Sequence, residues 1–365
     1  STYRNRLTIF NKVLSALRVD NHHFLFVFHL SRNNHFYLKE WLRKFPNLGV
    51  ISIPYSEIPE VRTDIEGIAK LFRPKLDDIP KLIFKICNQH KNKKIILIEI
   101  GGYSAEIADK LKNVKLAIED TNQGYWNFTI HKQKLNFPVV SIAKTEVKKL
   151  ENSLIGQSIA YSVETLLRKY FHQDFLSGKD VLVLSYGGIG SAVCKALKAR
   201  QAKVLVYDKD SIKMSMAYLD GFRIVEKKDG LKNVNIVIGC SGSRSLEIND
   251  LHLLRNSTLL VSGSSKQIEF PYGELISFVN HKSKDKEIEL VNYKGKKFYI
   301  AYQGQPINFL HDSALGDIFD LQMSLLLQSV KYGLANNLEN KIYTIPLEYQ
   351  YPLTEIYIKN KLSVL

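Results

Sequence analysis

The 365-residue sequence predicts an α/β protein built on parallel sheets. Three observations carry that expectation. Short apolar runs of strand length alternate with helical stripes through both halves of the chain. The stretch "VLVLSYGGIGSAVCKAL" (181–197) joins a buried strand to a packed helix through a glycine-rich turn. With 45% hydrophobic residues, the chain is long enough for about two domains, each with its own core.

In order, "FLFVFHL" (24–30) reads as a buried strand, "HFYLKEWLRKF" (35–45) as a helix and "GVISIP" (49–54) as the next strand. "IPKLIFKICNQH" (79–90) is helical and leads into the strand "KIILIEI" (94–100), which Gly101 and Gly102 end. "VKLAIED" (114–120) and "FPVVSIA" (137–143) are two further strands. A long helix is expected from about Lys148 to Phe171, with Leu150, Leu154, Ile155, Ile159, Val163, Leu166, Leu167 and Tyr170 on one face. After the turn "SGKD" (177–180) the pattern reads β181–185, α191–200, β203–208, α211–219 and β236–239, with "STLLVSG" (257–263) as another strand. "IELVNYKGKKFYIAYQG" (288–304) predicts a hairpin around Lys294-Gly295. A last helix is expected from Ser313 to Leu334.

Composition excludes several classes. The longest apolar runs are far too short to span a bilayer, and no charged then apolar leader opens the sequence. Cys87, Cys194 and Cys240 stand far apart without a CxxC, which argues against a disulfide framework and a zinc site and suits a reducing, cytoplasmic setting. The +15 formal charge would attract polyanions, but the lysines are mixed with acids, as in "HKSKDKEIELVNYKGKK" (281–297), and no nucleic-acid-binding motif is present. The expected partner is therefore a small molecule, with no metal, nucleic acid or membrane. A homo-oligomer or a partner protein stays open.

The turn is the first informative motif. A dinucleotide fingerprint G-x-G-x-x-G is expected after such a strand, and here Ser185 holds the first glycine position in Ser185-Tyr186-Gly187-Gly188-Ile189-Gly190. Gly187 allows a pyrophosphate to approach the backbone, and Gly190 allows the helix to pack close to its strand. "KVLVYD" (203–208) ends in Asp208, about 20 residues on, where an acid would hold a ribose 2′-hydroxyl and repel a 2′-phosphate. The expected cofactor is NAD, at Gly187, Gly188, Ile189, Gly190 and Asp208.

With its flanks, the sequence resembles the S-adenosylhomocysteine hydrolase family. "SGKDVLVLSYGGIGSAVCKALKARQAKVLVYDKDSIKMSMAYLDGFRIV" (177–225) is similar to the opening of that family's cofactor domain. "NVNIVIGCSG" (233–242), "IEDTNQGYWNF" (118–128), "SLIGQSIAYSVETLLRK" (153–169) and "GQPINF" (304–309) are similar to further segments around its NAD and substrate. The resemblance covers most of residues 90 to 350. It implies a Rossmann-type NAD domain (153–310) inserted in a substrate-binding α/β lobe made of 1–152 and the return segment 311–365. It also implies NAD-dependent oxidation of a ribose hydroxyl during hydrolysis of the substrate.

Residue by residue, Asp120 falls on the family's substrate-binding acid, and Thr121, Asn122 and Gln123 on its NAD-contacting threonines. Gly242 and Asn308 fall in cofactor segments, and Lys148 on a catalytic lysine. The acid four residues after that lysine is Asn152 here, with Glu151 the alternative if the register shifts by one. The family's acidic pair before the glycines becomes Glu99-Ile100, so Glu99 is the remaining candidate there. A catalytic histidine position is Ser264 or Ser265, a second family histidine aligns near Leu315 to Asp317, and His29 matches an N-terminal one. The C-terminal lysine and tyrosine of the family are missing from "KNKLSVL".

Each candidate has a plainer reading: Lys148 on a solvated helix face, Asp120 and Thr121 capping a turn, His29 and Cys240 packing a core. The expectation is a divergent adenosylhomocysteinase-like protein with Lys148, Asp120 and Glu99 as catalytic candidates. It would oxidise a hydroxyl of a nucleoside-like molecule, or act as a catalytically silent NAD- or nucleoside-binding partner.

Overall fold

The computed structural model describes residues 8–172, 174–264, 266–280, 286–311 and 315–362. The chain divides into two compact units, one made of Ser1–Glu151 with Leu315–Leu365 and the other of Asn152–Ala314.

In the first unit α1 (Thr8–Ala16), β1 (His22–Phe28), α2 (Arg32–Lys44), β2 (Asn47–Ser52), α3 (Pro59–Glu66), β3 (Leu71–Phe72), α4 (Ile79–Gln89) and β4 (Lys94–Glu99) alternate along the chain. They continue as β5 (Val114–Glu119), α5 (Asn122–Ile130), β6 (Val139–Ser141) and the single turn α6 (Glu146–Lys149). From Glu151 the long α7 (Glu151–Tyr170) leads into the second unit.

That second unit holds β7 (Asp180–Leu184), α8 (Gly188–Ala199), β8 (Lys203–Tyr207), α9 (Ser211–Leu219), β9 (Arg223–Ile224), α10 (Lys227–Asn233) and β10 (Ile236–Gly239). It ends with β11 (Leu259–Ser262), α11 (Tyr272–Leu275), β12 (Ile288–Tyr293) and β13 (Lys296–Ala301). The return segment gives α12 (Ile318–Ala335), β14 (Ile342–Thr344) and α13 (Leu347–Leu362) back to the first unit.

Each unit carries a seven-stranded sheet. The first has the order β14-β6-β5-β4-β1-β2-β3 and is parallel throughout. The second, β12-β13-β11-β10-β7-β8-β9, is parallel except for the β12–β13 hairpin, which turns at Lys294-Gly295. Helices on both faces bury these strands, so β1 is apolar without a break from Phe24 to Phe28, with Phe24 and Phe26 packed against Trp41 and Phe28 against Phe26. Asp320 on α12 receives the Ile9 and Phe10 amides of α1, tying the return segment to the start of the described chain.

The helix expected from Lys148 to Phe171 is two helices, the Thr145-capped turn α6 and then α7. Leu150 at their junction is exposed rather than on the inner face. The last expected helix begins at Ile318, and its first predicted residue, Ser313, lies outside the described residues. No described helix is long and apolar enough to cross a membrane.

Candidate functional site

In the first unit the ends of parallel strands converge on one charged cluster. His29 follows β1, Asp120 follows β5, and Lys148 lies on α6 where the Thr145 cap fixes the helix start. The Lys148 ammonium sits 2.7 Å from Asp120 Oδ1 and 2.9 Å from Glu151 Oε1, with Lys148 and Glu151 both buried. Burial alone would drain charge from the lysine, but the two carboxylates outweigh it and hold the pKa above the ordinary lysine value. Burial pushes the Glu151 carboxyl upward, opposed by Lys148. His29 is buried with Nδ1 against Ser56 Oγ. Its pKa falls to about 4, first through burial, with Asp120 and Lys148 acting in opposite directions. At neutral pH the cluster thus holds an ammonium between two acids, near an uncharged imidazole. The beyond-strand position is where open α/β sheets bind ligands.

Glu99 lies beside this cluster, on the adjacent strand, with its carboxyl in a separate network. Glu99 and Glu119 end the neighbouring strands β4 and β5 as register partners, and both are fully buried. Glu99 accepts from the Ser104 amide and hydroxyl, while Glu119 accepts from the Gly101, Gly102 and Thr121 amides and the Thr121 hydroxyl. Burial raises the Glu99 pKa to about 7. Burial and then the Glu99 charge raise that of Glu119 to about 8. The Asp120 amide donates to the Glu99 backbone carbonyl at 3.1 Å, but among the described residues no ion pair or side-chain hydrogen bond joins the Glu99 carboxyl to the Lys148 cluster.

A Cβ on Gly124 would meet the Glu119 carboxyl at 2.0 Å, so α5 closes directly over this acid. Thr121 caps α5 through the Gly124 amide, Asn122 accepts from Lys144 Nζ at 2.7 Å, and Gln123 reaches Asn127.

The glycine turn stands between β7 and α8 of the second unit. A Cβ on Gly190 would meet the Ser185 carbonyl oxygen at 2.0 Å, so only glycine lets α8 lie this close to the strand end. A Cβ on Gly187 would meet only Ser185 Oγ, at 3.8 Å, so the backbone there is open to a ligand. Gly187 is the N-cap of the twelve-residue α8 and offers no side-chain cap, leaving first-turn N–H groups for an anion. Gly188 faces the Asn152 side chain, and Ile189 packs partly buried beside the second unit's core.

Asp208 follows β8, with Oδ2 accepting from the Tyr186 amide (2.7 Å) and the Ser185 hydroxyl (3.0 Å) and Oδ1 from the Asp210 amide. Ser185 has φ +92°, a conformation that favours glycine, and its hydroxyl bond to Asp208 offsets part of that strain. These residues fit a dinucleotide: an open turn for the pyrophosphate and a carboxylate for a ribose hydroxyl.

Gly242 donates its amide to Glu269, another fully buried acid that also accepts from Ser241 and Ser245. Asn308 stands on a single 3₁₀ turn, Ile307–Phe309, of the same unit. Ser264 donates to the Lys266 carbonyl, and Ser265 lies outside the described residues. Cys240 is buried, its thiol pushed well up by burial, as suits a packing residue. No group of three or more metal-ligating side chains occurs among the described residues.

Comparison with known proteins agrees with the turn geometry. Residues 163–309 match the model of the S-adenosyl-L-homocysteine hydrolase NAD-binding domain. An adenosylhomocysteinase of Thermotoga maritima is 24% identical over 265 residues, covering 71% of this chain and 62% of that protein. These matches support a divergent relationship to the S-adenosylhomocysteine hydrolase superfamily.

An S-inosyl-L-homocysteine hydrolase of Methanopyrus kandleri is 24% identical over 273 residues, covering 72% of this chain and 63% of that one. The matches to both superfamily relatives therefore span less than two thirds of the relatives' own length. In fold, the chain is similar to a dipicolinate synthase polypeptide from Bacillus halodurans, with TM-score 0.51 and 14% identity over 84% of this chain and 97% of that one. NAD is the cofactor that the matched domain supports, and the open glycine turn at the start of α8 has the geometry to take its pyrophosphate.

The sequence left two features of the first unit unread. Glu151 appeared only as an alternative register, although its i, i+3 spacing from Lys148 is the signal for an ion pair on a helix. The Glu99–Glu119 pairing carries no local signal, because it is created by strand register.

Proposed function

We propose that this chain binds NAD in its second unit and a nucleoside-like small molecule in its first, and that it oxidises a hydroxyl of that molecule. The observation that carries the reading is the buried Lys148 ammonium held between Asp120 and Glu151 beyond the strand ends. Bound NAD supplies a hydride acceptor. Lys148, kept charged by its neighbours, does not serve as the base. Its role in this reading is to donate to the substrate oxygen and stabilise charge as the O–H bond weakens. The proton passes to a carboxylate, and Glu151, its carboxyl pushed upward by burial, is the acceptor in this reading. Neutral His29 adds a polar group that does not compete for charge.

The test mixes the NAD-loaded protein with adenosine and its deoxy analogues and follows reduced nicotinamide absorbance in a single turnover. Reduction with adenosine that is lost in Glu151→Gln supports the reading. Nucleoside binding by calorimetry without reduction, in every analogue, rejects oxidation in favour of a silent binding protein. The buried apolar Ile100, at a position where the family resemblance implies an acid, is what favours that second reading. S-adenosylhomocysteine hydrolysis itself is expected to be absent or slowed by about 10²–10⁴-fold, the effect of a missing general acid or base. Homocysteine release at ordinary turnover rates would contradict this.

A further inference from the structure

Helix α13 is apolar on two sides. Its inner side packs Leu353, Ile356 and Tyr357 into the first unit's core. On the outer side Leu347, Tyr351, Ile358 and Leu362 are 46%, 58%, 52% and 65% exposed. At 100° per residue these four fall within about 60° of one another, a stripe about 22 Å long. An amphipathic surface helix has one apolar face, so a second apolar stripe, here two pairs of side chains either side of Thr354 and Glu355, marks a contact.

The spacing of the stripe identifies what would cover it. Its intervals of 4, 7 and 4 residues read the same from either end. An antiparallel copy would therefore set Leu347 against Leu362 of the second copy and Tyr351 against Ile358 of the second copy. The charges agree with this direction. Glu348 near the start of α13 and Lys359 near its end flank the stripe on the same side, and neither forms an ion pair among the described residues. Antiparallel pairing brings each Glu348 to within about two residues of the other copy's Lys359 along the axis, about 3 Å. Parallel pairing would set acid on acid and lysine on lysine.

We infer that α13 is a self-docking surface, pairing antiparallel with α13 of a second copy around a two-fold axis near Thr354-Glu355. The two Glu355 side chains approach each other near that axis and weaken the pair. Two four-turn helices also cover less than the ~1,200 Å² of a standard stable interface. The dimer is therefore reversible and depends on concentration.

Sedimentation velocity of the whole chain from about 5 to about 200 µM tests this by mass action. The wild type should move from monomer towards dimer. Tyr351→Ser with Ile358→Ser should remove the shift while leaving the thermal melt unchanged, since both residues are exposed. Glu348→Lys should weaken the dimer, and Glu348→Lys with Lys359→Glu should restore it. The inference is overturned by a wild type that stays monomeric throughout, by a dimer indifferent to the Tyr351 and Ile358 changes, or by a charge exchange that restores nothing. A dimer lost on Leu219→Ser, in the exposed row Ile212, Met216 and Leu219 of α9, but kept in the α13 variants would also overturn it.

Discussion

Replacing Lys148 by methionine keeps the length of the side chain and removes its charge. In the native protein Asp120 and Glu151 lie 2.7 and 2.9 Å from the ammonium, with all three side chains less than a fifth exposed. Each contact is a charge-assisted hydrogen bond worth about 1.5–3 kcal/mol. Removing one partner of a buried pair typically costs about 3–5 kcal/mol, because the remaining charge stays buried. The variant is expected to lose that much stability at pH 8.

The loss should shrink as the pH falls. Lys148 opposes the upward push that burial gives the Glu151 carboxyl, so without it the folded-state pKa of Glu151 rises further above the unfolded value. The folded form then holds a proton more tightly than the unfolded one, so the penalty grows as pH rises above about 4 and is full above the folded pKa. Both tryptophans, Trp41 and Trp126, belong to the first unit, so urea unfolding followed by intrinsic fluorescence reads this unit alone. A change below about 0.5 kcal/mol, the range of ordinary surface substitutions, at both pH 5 and pH 8 would show that Lys148 is a solvated lysine. The active-site reading would fall with it.

Gly190→Ala should disrupt NAD binding and destabilise the second unit by about 1–3 kcal/mol, as overpacking does. Its Cβ meets a backbone carbonyl at 2.0 Å, so α8 must move; calorimetry with NAD checks this. Asp208→Ala should weaken NAD by about 1.5–3 kcal/mol and narrow the preference for NAD over NADP, measured by titrating both. It should also lower the thermal stability of the turn, since Ser185 and Tyr186 lose their acceptor. The raised pKa values of Glu99 and Glu119, about 7 and about 8, mean that the folded state keeps protons which the unfolded state releases. Stability of the first unit should therefore fall as pH rises from about 4.3 to about 8. Glu119→Gln should flatten that fall in fluorescence-detected urea titrations, and an unchanged slope would reject the assignment.

Much of this protein is written in short-range pattern. The apolar runs at 24–28, 95–98 and 181–184 are strands because only a sheet covered on both faces buries every residue of such a run. The Gly187–Gly190 turn between β7 and α8, and the acid Asp208 after β8, were legible because a strand, a tight turn and a helix impose fixed spacings on such a unit. The sequence showed that Ser185 replaces a glycine, but its φ of +92° and its bond to Asp208 appear only once β7 and β8 lie side by side.

The cluster at Lys148 was decided by tertiary structure. Asp120 is 28 residues away in sequence, and whether the lysine faces water or carboxylates depends on how α6 packs beyond the end of β5. Glu99 illustrates the same limit. Residue type made it a catalytic candidate, yet parallel register sets it against Glu119 and Ser104 beneath the Gly101-Gly102 turn. Propensity and periodicity act between near neighbours and are carried by the sequence itself. Burial, and with it the charge of an acid or a lysine, depends on what distant segments bring to the same place.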